Sequence, residues 1–383
     1  MAKLIDITGK ALSGEWGTDD ETGNGIPVLR TTNFTNEGVV NYNDVVTRTI
    51  TKKNIDDKFL RKGDIIIEKS GGSDKFPVGR VIYFDGEEKT YLFNNFTGLL
   101  RVKNQDVWYP RYVFYSLYAN YKRGGTRAFE NKTTGLHNLK TDDYVSRYEV
   151  AEIDKTEQIL ICEKLDKLYG IVKSRERELQ LLNELIKARF VELFGVYPAN
   201  TMGWEIGTIR DVVTEVRYGS SRPATNGGKY PYLRMNNITY GGELDLSDTK
   251  CIDIPDNELD KCTVRRGDVL FNRTNSKELV GKTCVYNRDE MMVLAGFVIR
   301  IRVKDCILPE FLSAFLNTDF SKKMLLGMCK TAIGQANINA QELQNIGLYL
   351  PPVELQRRFV LFKKETEKSK VTPQKTTKNA KTH

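Results

Sequence analysis

Apolar residues recur with a heptad period through the middle of the chain. An apolar residue falls every seven positions from Leu165 to Leu193, and Arg175 and Arg189 interrupt the second row of this seam. The 3.5-residue period predicts a coiled-coil helix that runs from Lys155 to Phe194 and binds a partner helix. At ~1.5 Å per residue its length is roughly 60 Å. The alternative is that the helix packs on a flanking domain. The seam consists of Leu165, Leu168, Val172, Leu179, Leu182, Ile186 and Leu193.

Short runs of β-branched and aromatic residues lie on both sides of that helix, bounded by Gly, Asp or Pro, and they predict strands. In each flanking segment a more helical stretch follows and begins near a proline. The expected fold class is therefore α+β, with two similar mixed α/β domains joined by a long coiled-coil-type helix. The predicted strands include residues 64–67, 78–84, 268–271 and 297–303, and the predicted helices are residues 110–121 and 309–320.

The two flanking segments are copies of each other. The sequence IPVLR at 26–30 returns as YPYLR at 230–234, and LRKGDII at 60–66 returns as VRRGDVL at 264–270, both 204 positions later. Collinear matches continue while the offset falls to 199, so each copy spans about 150 residues, an ordinary domain size. These later matches pair 101–104 with 302–305, 109–112 with 308–311, and 134–139 with 333–338.

The repeat sets the expected domain boundaries. We predict one domain at residues 1–152, the spacer helix at 153–200, a second domain at 201–352, and a tail at 353–383. Two similar modules on a rigid spacer are suited to reading two separated features of a repetitive polymer, and DNA is the obvious candidate.

The net charge is weak evidence for that partner. The chain carries +8, but residues 353–383 hold nine Lys/Arg and three Glu, so the tail supplies +6. A basic tail attracts phosphate without regard to sequence, yet it is equally typical of a solvated end.

Cysteine usage and hydropathy indicate the compartment. The six cysteines form no Cys-x-x-Cys pair, and with two histidines in the chain a structural zinc site is not expected. Scattered cysteines are typical of a reducing compartment. No apolar run reaches the ~18 residues that a membrane span needs. We therefore expect a cytoplasmic protein with no metal site and no membrane contact.

Catalytic motifs are not found. An adenine methyltransferase would carry a Gly-rich cofactor loop and an Asn/Asp-Pro-Pro-Tyr/Phe motif, whereas here Pro351-Pro352 precedes a valine. Residues 281–283 (GKT) lack the first glycine of a phosphate loop. His137 could act as a base, but the second copy has Ala336 at that position. We expect no catalytic residue in this chain.

Arginine and asparagine follow the Pro-x-Leu motif in both copies. Arginine can read guanine and asparagine can read adenine in the major groove through paired hydrogen bonds. The alternative, given equal weight, is that the arginine pairs with an acid inside its domain and the asparagine makes a turn. The candidates are Arg30, Asn33, Arg234 and Asn236.

A second pair of polar loops follows the Gly-Asp strand of each copy. Lys and Ser can hold phosphates there while Asn or Arg reaches a base edge, although an ordinary solvated loop is also polar. The candidates in these loops are Lys69, Ser70, Lys75, Asn272, Arg273, Asn275 and Lys277, and further DNA-binding candidates are Lys132, Asn138, Arg222, Gln335 and Asn337.

The order of these motifs resembles the specificity subunit of type I restriction–modification enzymes, over residues 1 to about 360. Two matching features occur in both copies: an Arg-x-Gly-Asp strand entry (61–64 and 265–268) and a late Gly-x-x-Asn turn (135–138 and 334–337). A domain-closing LPPVELQ lies at 350–356, with a degenerate counterpart at 153–158. The long helix closes on FVELFG at 190–195, and WEIGTI at 204–209 begins the second domain.

The resemblance implies two target-recognition domains, each of which reads half of a split sequence in double-stranded DNA. It implies two long antiparallel helices that fix the gap and dock two methyltransferase subunits and a restriction subunit. S-adenosylmethionine, ATP and Mg would be bound by those partner subunits and none by this chain. A rigid reader suits this chemistry because a flipped adenine must reach a partner's active site.

One departure from the family pattern concerns the second long helix, which should follow Gln356. Residues 357–362 begin it, but the sequence then becomes Lys/Thr-rich with Pro373 and shows no apolar heptads. We expect disorder from Lys363 onward. The first helix would then expose its seam, and a second copy of the chain is a candidate to cover it. The runner-up hypothesis is therefore a truncated scaffold or decoy that binds partner subunits without reading DNA.

Overall fold

The computed structural model describes residues 1–133, 136–276, 278–332 and 335–382. The chain divides into two compact units, Met1–Ile171 and Val172–His383. Each unit is a mixed α/β structure, and the fold class predicted from the sequence is confirmed.

The first unit consists of short strands, arranged in sheets of two, three and four strands, together with helices. Its strands are β1 (Ala2–Lys3), β2 (Leu12–Ser13), β3 (Thr18–Asp19), β4 (Ile26–Leu29), β5 (Val46–Thr49), β6 (Ile65–Glu68), β7 (Ser70–Gly72), β8 (Val81–Tyr83), β9 (Leu92–Phe93), β10 (Thr97–Leu100), β11 (Glu130–Thr133), β12 (Leu136–Leu139) and β13 (Glu149–Val150), and its helices are α1 (Leu4–Thr8), α2 (Pro110–Lys122) and α3 (Thr141–Arg147).

The long helix α4 (Lys155–Phe194) begins in the first unit and ends in the second. The second unit then repeats the plan of the first. Its strands are β14 (Ile206–Thr208), β15 (Val213–Tyr218), β16 (Tyr230–Leu233), β17 (Lys250–Ile252), β18 (Thr263–Val264), β19 (Val269–Asn272), β20 (Thr274–Asn275), β21 (Thr283–Val285), β22 (Met292–Leu294), β23 (Val298–Val303), β24 (Lys330–Ala332), β25 (Gln335–Asn337) and β26 (Gly347–Tyr349), and its helices are α5 (Ile209–Val212), α6 (Asp256–Cys262), α7 (Pro309–Leu316), α8 (Asp319–Met328), α9 (Ala340–Gln344) and α10 (Val353–Thr382).

The sheets of the two units have matching strand orders. The order β2-β10-β6-β8 corresponds to β15-β23-β19-β21, and β11-β12-β7 corresponds to β24-β25-β20. A third sheet contains β5-β4-β9 in one unit and β17-β16-β22 in the other, each with one parallel pair. Apolar side chains from the main sheet pack on α2 in the first unit and on α7 in the second. The sequence repeat is therefore a repeat of whole folded units.

The shared Arg-x-Gly-Asp motif builds a buried ion pair. Asp64 accepts hydrogen bonds from the Arg61 backbone N (2.8 Å) and from Arg101 Nε (2.8 Å). Asp268 likewise accepts from Arg265 N (2.9 Å) and Arg302 Nε (2.9 Å). Gly63 and Gly267 both have φ of +92°, a conformation that favours glycine. Two separate sequence matches, the Gly-Asp strand entry and the later Arg-Val-Lys, are therefore one structural feature.

A buried glutamine attaches each long helix to its unit. Gln158 Oε1 accepts a hydrogen bond from Tyr109 N (2.8 Å), and Gln356 Oε1 accepts one from Leu308 N (2.8 Å). The side-chain nitrogen of each donates to two backbone carbonyls, and both side chains are fully buried. The domain-closing motif thus fixes the first turn of α4 and of α10 through the same contact.

The tail is helical where the sequence predicted disorder from Lys363. Helix α10 continues to Thr382 and contains Pro373. Its covered positions follow the three-four spacing of a coiled coil, but most of them are polar, so the sequence shows no apolar heptad there. These positions are Gln356, Phe359, Lys363, Thr366, Lys370, Pro373 and Thr377.

Helix α10 packs antiparallel on the C-terminal half of α4. The ring centroids of Phe190 and Phe359 are 5.3 Å apart, and Lys370 Nζ donates to Asn183 Oδ1 at 2.7 Å. The residue numbers of α4 fall as those of α10 rise, which gives the direction. The expectation that α4 lacks an internal partner is therefore wrong for this half of the helix.

The partner-binding seam of α4 stays a prediction, and Leu168 within it is 59% exposed. The other predicted seam residues are partly buried. The helix predicted at residues 309–320 is two helices, α7 and α8, because Asn317 bonds back to Ser313 O (2.8 Å) and Thr318 caps the second one.

Candidate nucleic-acid interface

The three-stranded sheet of each unit brings the loop after the Gly-Asp strand against the late hairpin. Asn138 is the register partner of Ser70, and Asn337 is the register partner of Thr274. Leu139 N donates to Lys69 O at 2.8 Å, and Ile338 N donates to Arg273 O at 2.9 Å. Candidates that are more than 60 residues apart in sequence are therefore neighbours in the fold, and the same pairing occurs in both units.

In the first unit, Lys69, Ser70 and Asn138 line one surface depression of about 430 Å³, together with Asn95 and Phe96. Lys69 Nζ donates to Ser13 Oγ at 3.2 Å. Partial burial lowers the pKa of Lys69, which means that its charge is incompletely solvated. Asp142 lines the same depression and opposes that shift, so the chain itself supplies part of the compensating negative charge, and a phosphate would have to add to it.

In the second unit, Arg273 occupies the position of Lys69. Its guanidinium carbon lies 4.8 Å from the ring centre of Tyr218. Tyr218 stands where Ser13 stands in the first unit, because β2 and β15 pair at matching positions of β10 and β23. Each unit thus holds one cation against the edge strand of its main sheet.

An exposed phenylalanine adjoins that cation in both units and was not among the residues predicted from the sequence. Lys69 N donates to Phe96 O (2.8 Å), and Arg273 N donates to Phe297 O (3.0 Å). The side chains of Phe96 and Phe297 are 54% and 52% exposed. Both lie five residues before the matched Arg-Val-Lys segment, which was the available signal. We call the Lys69, Ser70, Phe96 and Asn138 group, and its counterpart Arg273, Thr274, Phe297 and Asn337, the basic–aromatic face.

After the Pro-x-Leu motif of each copy, the arginine pairs with an acid inside its own domain and an asparagine makes a turn, which is the alternative to base contacts. Arg30 Nη2 donates to Asp44 Oδ2 (3.0 Å), and Arg234 Nη2 donates to Asp248 Oδ2 (2.9 Å). Asn33 is buried, and its Oδ1 accepts from Arg30 N at 2.8 Å. The proposed base contact by Asn33 is therefore withdrawn, because both ends of its amide are used inside the turn.

Asn237, and not the predicted Asn236, is the counterpart of Asn33 and makes the same bonds. Asn236 beside it is exposed. Arg80 supports the first turn by donating to Thr31 O and Phe34 O, both at 2.9 Å, and Lys282 supports the second by donating to Met235 O. Arg30 and Arg234 remain partly exposed and form the rim of each turn.

The remaining predicted DNA-binding residues differ in burial and in their hydrogen-bond partners. Asn272 is fully buried, so the structure does not place it at a DNA surface. Asn275 Oδ1 accepts from Ser276 N, and Asn337 Oδ1 accepts from Thr274 Oγ1. Arg222 makes a two-bond pair with Glu258 (2.8 and 3.1 Å).

Lys75 is exposed beside Phe76. Lys277 lies outside the described residues, as do the side chains of Lys132 and Gln335, so the prediction for these three stays a prediction.

Groups that could support catalysis or metal binding are engaged elsewhere or scattered. His137 Nδ1 lies 3.0 Å from Glu130 Oε2, and both side chains are nearly inaccessible. In the described ranges no cluster of three or more His, Cys, Asp or Glu side chains converges as metal ligands would. No helix within those ranges is long and apolar enough to cross a bilayer.

Comparison with known proteins gives a consistent family. Residues 202–379 match the family model of the type I restriction modification DNA specificity domain. The chain is 24% identical over 359 residues to the type I restriction enzyme EcoKI specificity subunit of Escherichia coli, which covers 88% of this chain and 74% of that one. It is 27% identical over 160 residues to the putative MjaX specificity subunit of Methanocaldococcus jannaschii, over 41% of this chain and 37% of that one.

The fold has solved counterparts. The S subunit of a type I restriction–modification system from M. genitalium aligns over 98% of this chain and 91% of its own, with a TM-score of 0.55 and 15% identity. A chain from a structure on complex assembly and conformational transition of the type I R–M system aligns over 99% of this chain and 92% of its own, with a TM-score of 0.54 and 15% identity.

Proposed function

We propose that this chain, which belongs to the family of type I restriction–modification specificity subunits, reads a bipartite DNA target with one half-site bound by each unit. The observation that carries the proposal is the basic–aromatic face, which both units build from equivalent positions. A single cationic loop is common on protein surfaces. Its recurrence at equivalent positions, with a hydrogen-bonding side chain beside it, matches the requirement for two separate half-sites.

The chemistry of the face is suited to duplex DNA. Lys69 and Arg273 would contact phosphate or a base edge, while Asn138 and the rim residues Arg30 and Arg234 would contact base edges or the backbone. Phosphate contacts set the register of a protein on DNA, and base contacts distinguish sequences. The two faces share the phenylalanine and the asparagine but carry different cations, Lys69 and Arg273, and two dissimilar half-sites would be distinguished mainly at that position.

We further propose that the paired helices α4 and α10 dock the methyltransferase subunits and that the restriction subunit joins the same complex. Helix α10 covers part of the α4 seam, and exposed apolar residues such as Leu168 remain available to a partner. The chain would then act without catalytic residues of its own. S-adenosylmethionine, ATP and Mg would be bound by the partner subunits. A cytoplasmic location agrees with the six free thiols.

The decoy alternative depended on a truncated second helix. Because α10 is a 30-residue helix packed on α4, that reason is removed and no other observation favours the alternative.

The test is selection from a pool of random duplexes by the purified complex of this chain with its methyltransferase subunit, followed by binding measurements at several salt concentrations. We expect a split motif with a fixed gap, and an affinity that falls steeply with salt while the preference for the motif is kept. Recovery of unenriched sequences by a folded, assembled complex would contradict the proposal.

A further inference from the structure

We propose that Phe96 and Phe297 are base-stacking residues, each packing its ring against a base in one half-site of the DNA. This inference rests on the proposed function and adds to it a contact that hydrogen-bonding residues cannot make. It also gives a role to the exposed phenylalanine of each basic–aromatic face.

The fold itself does not require these rings. Each phenylalanine lies at the third position of a tight turn closed by backbone bonds, Thr97 N to Asn94 O (3.1 Å) and Val298 N to Ala295 O (2.9 Å). The turn is made by backbone atoms, and more than half of each ring is exposed to solvent. An apolar ring left in water contributes little to folding, so the stability of the turn does not account for a phenylalanine at this position in both units.

The position is repeated although its surroundings have diverged. The residues before the phenylalanine are Asn94-Asn95 in one unit and Ala295-Gly296 in the other, and the residue after it is Thr97 or Val298. Phe76 provides a contrast. It is 56% exposed, but Glu278 stands at its matching position two residues before the shared Val-Gly of each copy. Exposed phenylalanine is therefore not a general property of these loops.

The neighbours of each ring favour nucleic acid over a protein or lipid partner. The carbonyl of each phenylalanine is bonded to the backbone of the cation, Lys69 or Arg273. In the first unit most side chains that share the depression with the ring are polar or charged, and two are apolar. They are Ser13, Lys69, Ser70, Asn95, Asn138, Thr141 and Asp142, with Ala11 and Leu139 as the apolar pair. An exposed ring beside a cation can stack on a base while the cation pairs with the phosphate. In a duplex the ring would reach a base face by wedging into a step and partly unstacking it, as apolar side chains do in bent DNA. A protein contact would offer a contiguous apolar patch.

The experiment compares the wild-type complex with Phe96→Leu and Phe297→Leu, using the duplex found by the selection described above. 2-Aminopurine replaces one base at a time, because its fluorescence reports stacking. We expect each leucine variant to lose affinity by roughly 5- to 100-fold. We also expect it to lose the fluorescence change at one position, in its own half-site only. Phe96→Tyr and Phe297→Tyr keep the ring and should retain both signals.

Unchanged affinity and fluorescence in the leucine variants would overturn the inference while leaving the proposed function intact. Loss of the methyltransferase subunit from a leucine variant that still binds DNA normally would also overturn it, because the ring would then contact protein. Failure of the wild-type complex to select any split motif would instead count against the proposed function. Thermal unfolding of each variant separates these results from misfolding.

Discussion

At the scale of single residues, Lys69 and Arg273 occupy one position of the repeat with different chemistry. Lysine offers a point charge, whereas the planar guanidinium of arginine can bond two acceptors of guanine at once. The Arg273 guanidinium is already oriented by the Tyr218 ring. The second half-site should therefore depend on base identity at this contact more than the first does.

We predict that Arg273→Ala relaxes discrimination in one half-site by about 1–3 kcal/mol and leaves the other half-site unchanged. Arg273→Lys is the matched control, because it keeps the positive charge and removes the guanidinium that can donate two hydrogen bonds to one base. Dissociation constants for duplexes with single substitutions in each half would measure both. If Arg273→Ala weakens binding equally on every sequence, the residue contacts phosphate.

Lys322 gives a prediction on stability. Burial, with a smaller effect of Lys282, lowers the pKa of Lys322 from 10.5 to about 8. Between about pH 8 and 10.5 the folded chain binds fewer protons than the unfolded chain, so this group makes stability rise with pH in that window. Below pH 8 the burial of the charge opposes folding throughout.

We therefore expect the free energy of unfolding of the wild type, relative to Lys322→Met, to increase between pH 7.5 and 9.5. Urea titrations of both proteins at the two pH values would show it. Parallel curves for the two proteins would mean that the charge of Lys322 is solvated in the folded chain.

Residue types alone could indicate the loops but not the role of each side chain. Asn33 and Asn237 are buried inside turns, whereas Asn236, adjacent to Asn237, is exposed. The acids that pair with Arg30 and Arg234 lie 14 residues further on in both copies. That recurrence was visible in the sequence, but only the folded turn shows that each acid reaches the guanidinium.

At the scale of elements, α4 could be predicted from its apolar period and α10 could not. The covered positions of α10 keep heptad spacing with Lys, Thr and Pro in place of leucine. Lysine is half apolar along its stem, so it can cover a helix face while its ammonium finds an oxygen, as Lys370 does at Asn183. A hydropathy pattern counts lysine as polar and therefore does not reveal that its stem can be buried.

The anchor of α10 is testable. Phe359 is fully buried against Phe190 and Phe194, and we expect Phe359→Ala to reduce the free energy of unfolding by about 3–5 kcal/mol. Leu361→Ala on the same helix is the control, since Leu361 is 62% exposed and should cost little. Equal, small effects in denaturant titrations would show that α10 is not held by this cluster.

At the scale of the whole molecule, the internal repeat was the sequence feature that best predicted the architecture. Matched offsets identified two similar domains and the helix between them, because anchors such as Asp64 with Arg101 are required by the fold of each unit. Phe96 and Phe297 escaped notice because a hydrophobic residue in a strand-rich segment is usually a core residue. Their shared position five residues before the matched Arg-Val-Lys segment can be read from the sequence, but their exposure is seen only in the folded units.

The central claim is that this chain selects the DNA sequence on which its complex acts. The most direct measurement is a genome-wide methyladenine map of cells that express the chain with its methyltransferase subunit, compared with cells from which the chain is deleted. We predict a split motif with a fixed gap that disappears on deletion. A methylation pattern that stays the same while the chain is folded and present would contradict the account.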